Sequence, residues 1–465
     1  MWIDIGVVVL YLGAMIWIGL RGGEGIRNAS DFTASDGKYG AGVIFASLSA
    51  SYIGGGYSSG NAAEAFSGGI GMTVALFGFS IATILTGLLL APGVRRFPGA
   101  STVGGIIGQA YGRGARALTG VFSFVCCAGV VGAQMGAMGM VFNVVLGLPP
   151  KLGILVGCGI VLLYSTTGGL KSIIIADMIQ FVMLAIGMPL LLILSLQRVG
   201  GFDGLVQAVP VRYFNPLNGY TVAGFGSLVL TMMFGEALAP PYTQRLLIGR
   251  SPSSVARATV FSGLFSVPFF IITGLIGITA YALKVTDAPA AAMPSLVMAV
   301  LPIGVRGIVM ASMVSIILSA ADGFLNGAAA GLVCDTVMTI KPDLEDRSQL
   351  RWLRLVNFLT GGAAVAAAFL VPNLFHILIL SYSFWCPLIL IPLAAALLGI
   401  KSDGVAFRWA LIAGLLSTLV WNYGLGQPWG INGAIVGMAC NFVVFVIFTR
   451  RNAMKTHVFS AKNRK

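Results

Sequence analysis

The chain has 465 residues, of which 57% are hydrophobic and only 9% charged; its mean hydropathy is +0.93 and its formal net charge +13. Soluble domains carry about a quarter charged residues, so this composition excludes an ordinary soluble protein and points to a polytopic membrane protein. A β-barrel would show short alternating segments instead, and no nucleic-acid-binding motif accompanies the positive charge.

Hydrocarbon requires about 20 apolar residues per spanning helix. Apolar runs between polar breaks predict an all-α protein of thirteen spans: 3–20, 40–66, 70–93, 116–146, 152–168, 173–197, 222–246, 256–284, 304–333, 353–371, 373–398, 406–423 and 430–449. The first run, IDIGVVVLYLGAMIWIGL, has no basic leader and no small-residue cleavage site, and reads as a retained helix. The second carries SYIGGGYSSG at 51–60. A glycine costs a helix interior about 1 kcal/mol relative to alanine, so three in a row mark a place where backbone opens. The fourth holds adjacent Cys126 and Cys127; neighbours on one helix are poor disulfide partners. The six cysteines have no metal-ligand spacing and read as small core residues. His376 and His457 are too far apart in sequence to propose a metal site.

The fifth and sixth spans are joined by TGGLK, and Asp177 follows inside the sixth. The seventh contains FGEALAPP at 234–241, a Gly, a Glu and two prolines at hydrocarbon depth. The ninth contains IILSAADGFLN, whose Ser319, Asp322 and Asn326 share one helical face. Glu64 lies in the second span. A carboxylate at the bilayer centre costs about 2.5 kcal/mol or more, so such residues mark ion or substrate paths. The loops near 198–221 and 334–352 are the longest, so the chain reads as one transmembrane domain, 1–465, with a basic tail at 450–465.

Charge orients these spans. With the C-terminus in the cytoplasm, only Lys151, Arg198, Arg212, Lys284 and Arg306 of the 28 Lys and Arg lie outside. Arg27, Lys38, Arg245, Arg250 and Arg257 are among those counted as cytoplasmic. This is the positive-inside asymmetry, and it predicts a plasma (inner) membrane protein with its N-terminus outside. The net positive charge then reflects topology and contact with anionic lipid.

Irregular backbone at membrane depth survives only where it is buried in protein or lines a cavity. The second and seventh spans are both interrupted and lie five apart. They read as the first members of two inverted five-helix repeats, about 40–197 and 222–398, with a substrate and ion site at the breaks. The chain is thus expected to be a transporter. No nucleophile–base pair, metal cluster or phosphate loop argues for an enzyme, and no cofactor is expected.

The stretch YSTTGGLKSIIIADMIQFVML at 164–184 resembles the signature of the sodium:solute symporters, Y-T-x-x-G-G-L-x-A-V-x-x-T-D-x-x-Q, at Tyr164, Gly168, Gly169, Leu170, Asp177 and Gln180. QRLL at 244–247 and SAADGFLN at 319–326 are similar to further family motifs. The resemblance implies thirteen helices, inverted repeats and alternating access. It also implies a sodium site made by the carbonyls of Ala50, Ile53 and Ile316 and the hydroxyl of Ser319. Exposed carbonyls suit a hard cation. The second hydroxyl of that site falls at Ala320, which has none. The site is then weakened, repaired by Asp322 one turn on, or replaced. Asp177, Ser319 and Asp322 could build a second cation site, and the two carboxylates equally suit a proton. Sodium is the expected coupling ion and a proton the alternative.

The run SYIGGGYSSGNAAEA resembles the choline-transporter branch, but the aromatic cage of that branch is not kept: its positions fall at Tyr52, Phe79, Val130 and Ala239. The expected solute pocket contains Tyr52, Gly55, Phe79, Gln134 and Glu236. Glu236 either pairs with a cationic amine, accepts N–H groups freed by the helix break, or faces another channel. The expected partners are a small polar solute, sodium and the lipid bilayer; a monomer suffices for this architecture.

Overall fold

The computed structural model describes residues 2–24, 26, 28–33, 39–371 and 373–462. Arg27 and Lys38, and Arg464 and Lys465 of the tail, lie outside the described residues. Among the described residues, ten helices are long and apolar enough to cross a membrane. One of them, Pro150–Val199, has 50 residues. At 1.5 Å per residue that run would far exceed a hydrocarbon core of about 30 Å. It is divided at Gly169, whose φ of 57° is the left-handed conformation that glycine adopts without strain. Two further spans are each split into halves too short to qualify alone. The outcome is the thirteen spans expected.

We number them α1 (Trp2–Gly22), α2a (Ala41–Tyr52) and α2b (Asn61–Gly68), α3 (Gly71–Arg96), α4 (Arg113–Leu146), α5 (150–168), α6 (170–199), α7a (Val222–Phe234) and α7b (Pro240–Leu247), α8 (Pro252–Ala282), α9 (Val305–Ile340), α10 (Asp346–Leu370), α11 (His376–Leu398), α12 (Gly404–Gly424) and α13 (Gly433–Arg451). The helix of α13 continues as far as Lys462.

Hydropathy misplaced some ends. The segment 334–352 is mostly helical: α9 runs on through a π-turn at Gly331–Val337 to Ile340, and α10 starts at Asp346. Polar helix ends project past hydrocarbon, where an apolar window no longer registers them. A short helix, Ala292–Val300, fills the connection before α9.

Burial ranks the spans. In α9, 94% of the most apolar window is buried, against 28% in α1 and in α13. The central helix is therefore the one carrying Ser319 and Asp322. Ion pairs pin its two ends. Asp4 at the start of α1 accepts Arg306 (2.8 Å) and the Gly304 and Gly307 N–H groups. Asp335 near the other end accepts Arg116 (3.1 Å) and Thr102 (2.7 Å). Eight spans separate the first pair and six the second, so each pair belongs on one membrane face.

Candidate ion and solute site

α2a ends at Tyr52. Ile53 leaves the helical conformation (φ −93°, ψ 86°), and the chain resumes through a π-turn at Gly56–Gly60 into α2b. Among the described residues, no backbone N–H reaches the carbonyls of Ala50 or Ile53. Packing explains the glycines. A Cβ on Gly54 would sit 2.8 Å from the Ala320 Cβ and the Gln134 Nε2; one on Gly55 would sit 2.7 Å from the Ala137 Cβ. The break is pressed against α4 and α9, and any side chain would hold it off. Gln134 fixes it from α4, where Oε1 accepts the Gly55 N–H at 2.6 Å.

Asp177 on α6 is the hub beside this break, and it is fully buried. Its Oδ2 accepts the Arg245 guanidinium (2.9 Å) and the Ser47 hydroxyl (2.5 Å), with the Ser51 hydroxyl at 3.5 Å. Its Oδ1 accepts the Ser319 hydroxyl at 2.6 Å. Arg245 also donates to Ser47 (3.1 Å) and to the Pro241 carbonyl (3.0 Å). One network therefore joins α2a, α6, α7b and α9. Because Ser319 gives its proton to Asp177, its oxygen lone pairs remain available to a cation.

Asp322 lies one turn further along α9. Its Oδ2 accepts the Tyr164 hydroxyl at 2.7 Å, while Oδ1 has no partner among the described residues. Buried polar atoms on Ser165, Thr166, Gln180 and Asn326 are likewise unsatisfied there. Buried polar groups are normally paired, so α5, α6 and α9 carry buried polar atoms beyond what helix packing requires.

The α7 break is built differently. Leu238 has φ 53°, a costly conformation for a bulky residue. Two carbonyls at its tip receive side-chain donors: Ala237 from the Trp385 indole N–H (2.9 Å) and Leu238 from the Thr243 hydroxyl (2.7 Å). Glu236 is 3% exposed and borders two adjoining narrow cavities. Tyr52 and Tyr242 stand between them with ring centroids 4.3 Å apart, and Phe79 packs on Tyr52 at 5.2 Å. Gln134, Ala320, Phe324 and Tyr382 line the first cavity; Phe79, Thr83 and Thr86 line the second. The Tyr57 and Tyr242 hydroxyls face the Glu236 carboxyl group, and Tyr57 bonds Tyr382 at 2.7 Å.

The residues expected from sequence thus converge. Tyr52, Phe79, Gln134 and Glu236 line the cavities, and Gly55 is tied to Gln134. Ala50, Ile53, Ile316 and Ser319 lie buried where α2 opens beside α9. Two findings depart from the sequence reading. Arg245 is not a cytoplasmic-loop cation: it is fully buried against Asp177, because the short α7b packs against α2a and α9. The aromatic wall comes from positions the sequence reading passed over, Tyr57, Tyr242 and Tyr382. Tyr242 and Arg245 stand directly after the double proline, which was the available signal.

The sodium:solute symporter family model matches residues 32–417. High affinity choline transporter 1 of Homo sapiens is 24% identical over 405 residues, covering 82% of this chain and 68% of that protein. A sodium/glucose cotransporter of Vibrio parahaemolyticus is 26% identical over 421 residues, covering 78% and 73%. Among solved structures, a substrate-bound, outward-open Na+-coupled sialic acid symporter superposes with a TM-score of 0.84 at 16% identity, over 96% of this chain and 98% of that one. That likeness shows the fold, the LeuT-like arrangement in which broken first helices open two inverted five-helix repeats. The family and these relatives are transporters rather than enzymes. The match along most of the chain and the two broken helices agree: this chain belongs to the sodium:solute symporter family.

Proposed function

We propose that the protein is a sodium-driven symporter that carries a small polar organic solute into the cell by alternating access. The observation that carries this is the geometry around Ser319. Its proton is committed to Asp177, and its oxygen lies on the buried helix that packs on the open α2 break. The sodium ligands are the carbonyls of Ala50, Ile53 and Ile316 with the Ser319 hydroxyl. Asp177 and Asp322 form a second cation or proton site. Tyr52, Gly55, Phe79, Gln134 and Glu236 hold the solute. The repeats span about 40–197 and 222–398 within one transmembrane domain, with the N-terminus outside and the tail at 450–465 in the cytoplasm of a cell whose plasma membrane holds the protein. One copy of the chain contains the whole site.

The Asp177 network gives the coupling a physical route. It ties α2a, before the first break, and α7b, after the second, to α6 and the ion-bearing α9. A cation at Ser319 changes what that network balances, and both segments respond together. One inward charge gains about 2.3 kcal/mol per 100 mV, and a tenfold gradient adds about 1.4 kcal/mol. Together they drive a several-hundred-fold accumulation of a neutral solute. The names of the relatives include choline and glucose, so kinship leaves the solute open.

The test is thermal unfolding of the purified protein against sodium, with potassium holding ionic strength constant. A ligand bound only by the folded state stabilises it by RT ln(1 + [L]/Kd). A saturable, sodium-specific rise that Ser319→Ala abolishes is expected. A second reading, proton coupling, is favoured by Ala320, which lacks the hydroxyl, and by the free Oδ1 of Asp322. It would show as no sodium response and a pH-dependent shift that Asp322→Asn removes.

A further inference from the structure

We propose that the cavity at the α7 break is built for a compact organic ammonium ion that bears at least one N–H, with Glu236 as its counter-ion. This rests on reading the two cavities as the solute site.

The case begins with charge. A buried carboxylate is neutralised either by a cationic partner or by a proton. The ion pairs among the described residues join Arg116 to Asp335, Arg245 to Asp177 and Arg306 to Asp4; none reaches Glu236. Arg245, the fully buried cation nearby, is committed to Asp177, Ser47 and the Pro241 carbonyl. Nor does Glu236 serve to cap the break. The Gly235, Ala237 and Ala239 N–H groups donate to the carbonyls of Thr231, Phe234 and Glu236 itself, at 2.8, 3.3 and 3.1 Å. Glu236 lines both cavities, and among the described residues the hydroxyls of Tyr57 and Tyr242 are the polar groups that face its carboxyl group.

The walls choose the kind of cation. A hard metal cation is held by a shell of oxygen ligands, whereas this lining is dominated by the rings of Tyr52, Tyr57, Phe79, Tyr242 and Tyr382. Ring faces attract organic cations, and a carboxylate receiving an N–H forms a charge-assisted bond. As the structure stands each cavity is tight, with room for about one water molecule, so the site admits only a compact cation of a few carbon atoms, and only as its rings part. Such a solute brings its own charge, so the membrane potential drives it along with the coupling ion.

The experiment uses the purified full chain in saturating sodium. Ethanolammonium, dimethylammonium and pyrrolidinium are titrated to millimolar concentration, each beside an uncharged isostere: ethylene glycol, dimethyl ether and tetrahydrofuran. At least one ammonium should raise the melting temperature saturably, with its isostere inert. Glu236→Gln should weaken that ammonium at least tenfold while the sodium response persists. Tyr242→Phe, which keeps the ring and removes the hydroxyl, should weaken it by a smaller factor and serves if Glu236→Gln does not fold. An isostere as effective as its ammonium, or no response to any ammonium, overturns the proposal. So does stabilisation on acidification alone that Glu236→Gln removes, since Glu236 would then be a proton site. Loss of the sodium response in the parent chain would sink sodium coupling and leave the ammonium result to stand or fall separately.

Discussion

The two helix breaks are unlike in the way they treat backbone carbonyls. In α2 the break is made of glycines packed against α4 and α9, and it leaves the Ala50 and Ile53 carbonyls without backbone donors. In α7 the break is made of a left-handed Leu238 and two prolines, and Trp385 and Thr243 take up the carbonyls of Ala237 and Leu238 at its tip. The first keeps main-chain oxygens for a ligand. The second caps the carbonyls at its tip with side chains and presents a side-chain carboxylate to the cavities. Small hard cations need several oxygens at short range, which backbone supplies. A solute needs a shaped cavity with one charged anchor, which side chains supply.

The largest expected effect lies at the network that links the two breaks. Arg245→Met leaves Asp177 buried without its cation and should destabilise the protein by about 3–5 kcal/mol, read as a fall in melting temperature in detergent. Comparable stability in the variant would break the idea that the breaks are tied through this pair. Next comes the glycine wall. Gly55→Ala places a Cβ 2.7 Å from the Ala137 Cβ and should cost about 1–3 kcal/mol of stability, and it should weaken sodium binding as α2 is held away from α9. A variant that lost stability but kept full sodium affinity would separate the packing of the break from the ion site.

A smaller effect is expected at the α7 side. Trp385→Phe strands the Ala237 carbonyl, at a cost of about 1–3 kcal/mol. Its signature should be weaker solute binding with unchanged sodium affinity, the reverse of Gly55→Ala. The smallest is a gain. Ala320→Ser restores a hydroxyl beside Gly54 and should raise sodium affinity about tenfold, or about 1.4 kcal/mol, with little change in stability. Unchanged sodium affinity would show that Ala320 is no part of the ion site.

Much of the fold was legible before any coordinates. Spanning helices must be apolar over about 20 residues and must keep their backbone bonded. Hydropathy therefore gave thirteen spans, and Gly54–Gly56 and Pro240–Pro241 gave the two that break. Asp177 and Asp322 stood out because a carboxylate in an apolar run needs a reason. The ends of α9 and α10 were not legible, since charged residues continue a helix beyond hydrocarbon without raising hydropathy.

Pairing was what the sequence could not fix. Arg245 reads as one more basic residue at a span end, and only the fold of α7b carries it onto Asp177, 68 positions away in sequence. An alignment to an aromatic cage returns Val130 and Ala239 and finds the cage missing, yet Tyr57, Tyr242 and Tyr382 put rings around Glu236 from other positions. The local chemistry of a membrane chain, which residues are apolar, broken or charged, is written residue by residue because lipid tests each span separately. Which charge meets which, and which rings enclose which carboxylate, depends on how the helices rotate and pack against one another, and tertiary structure alone decides that.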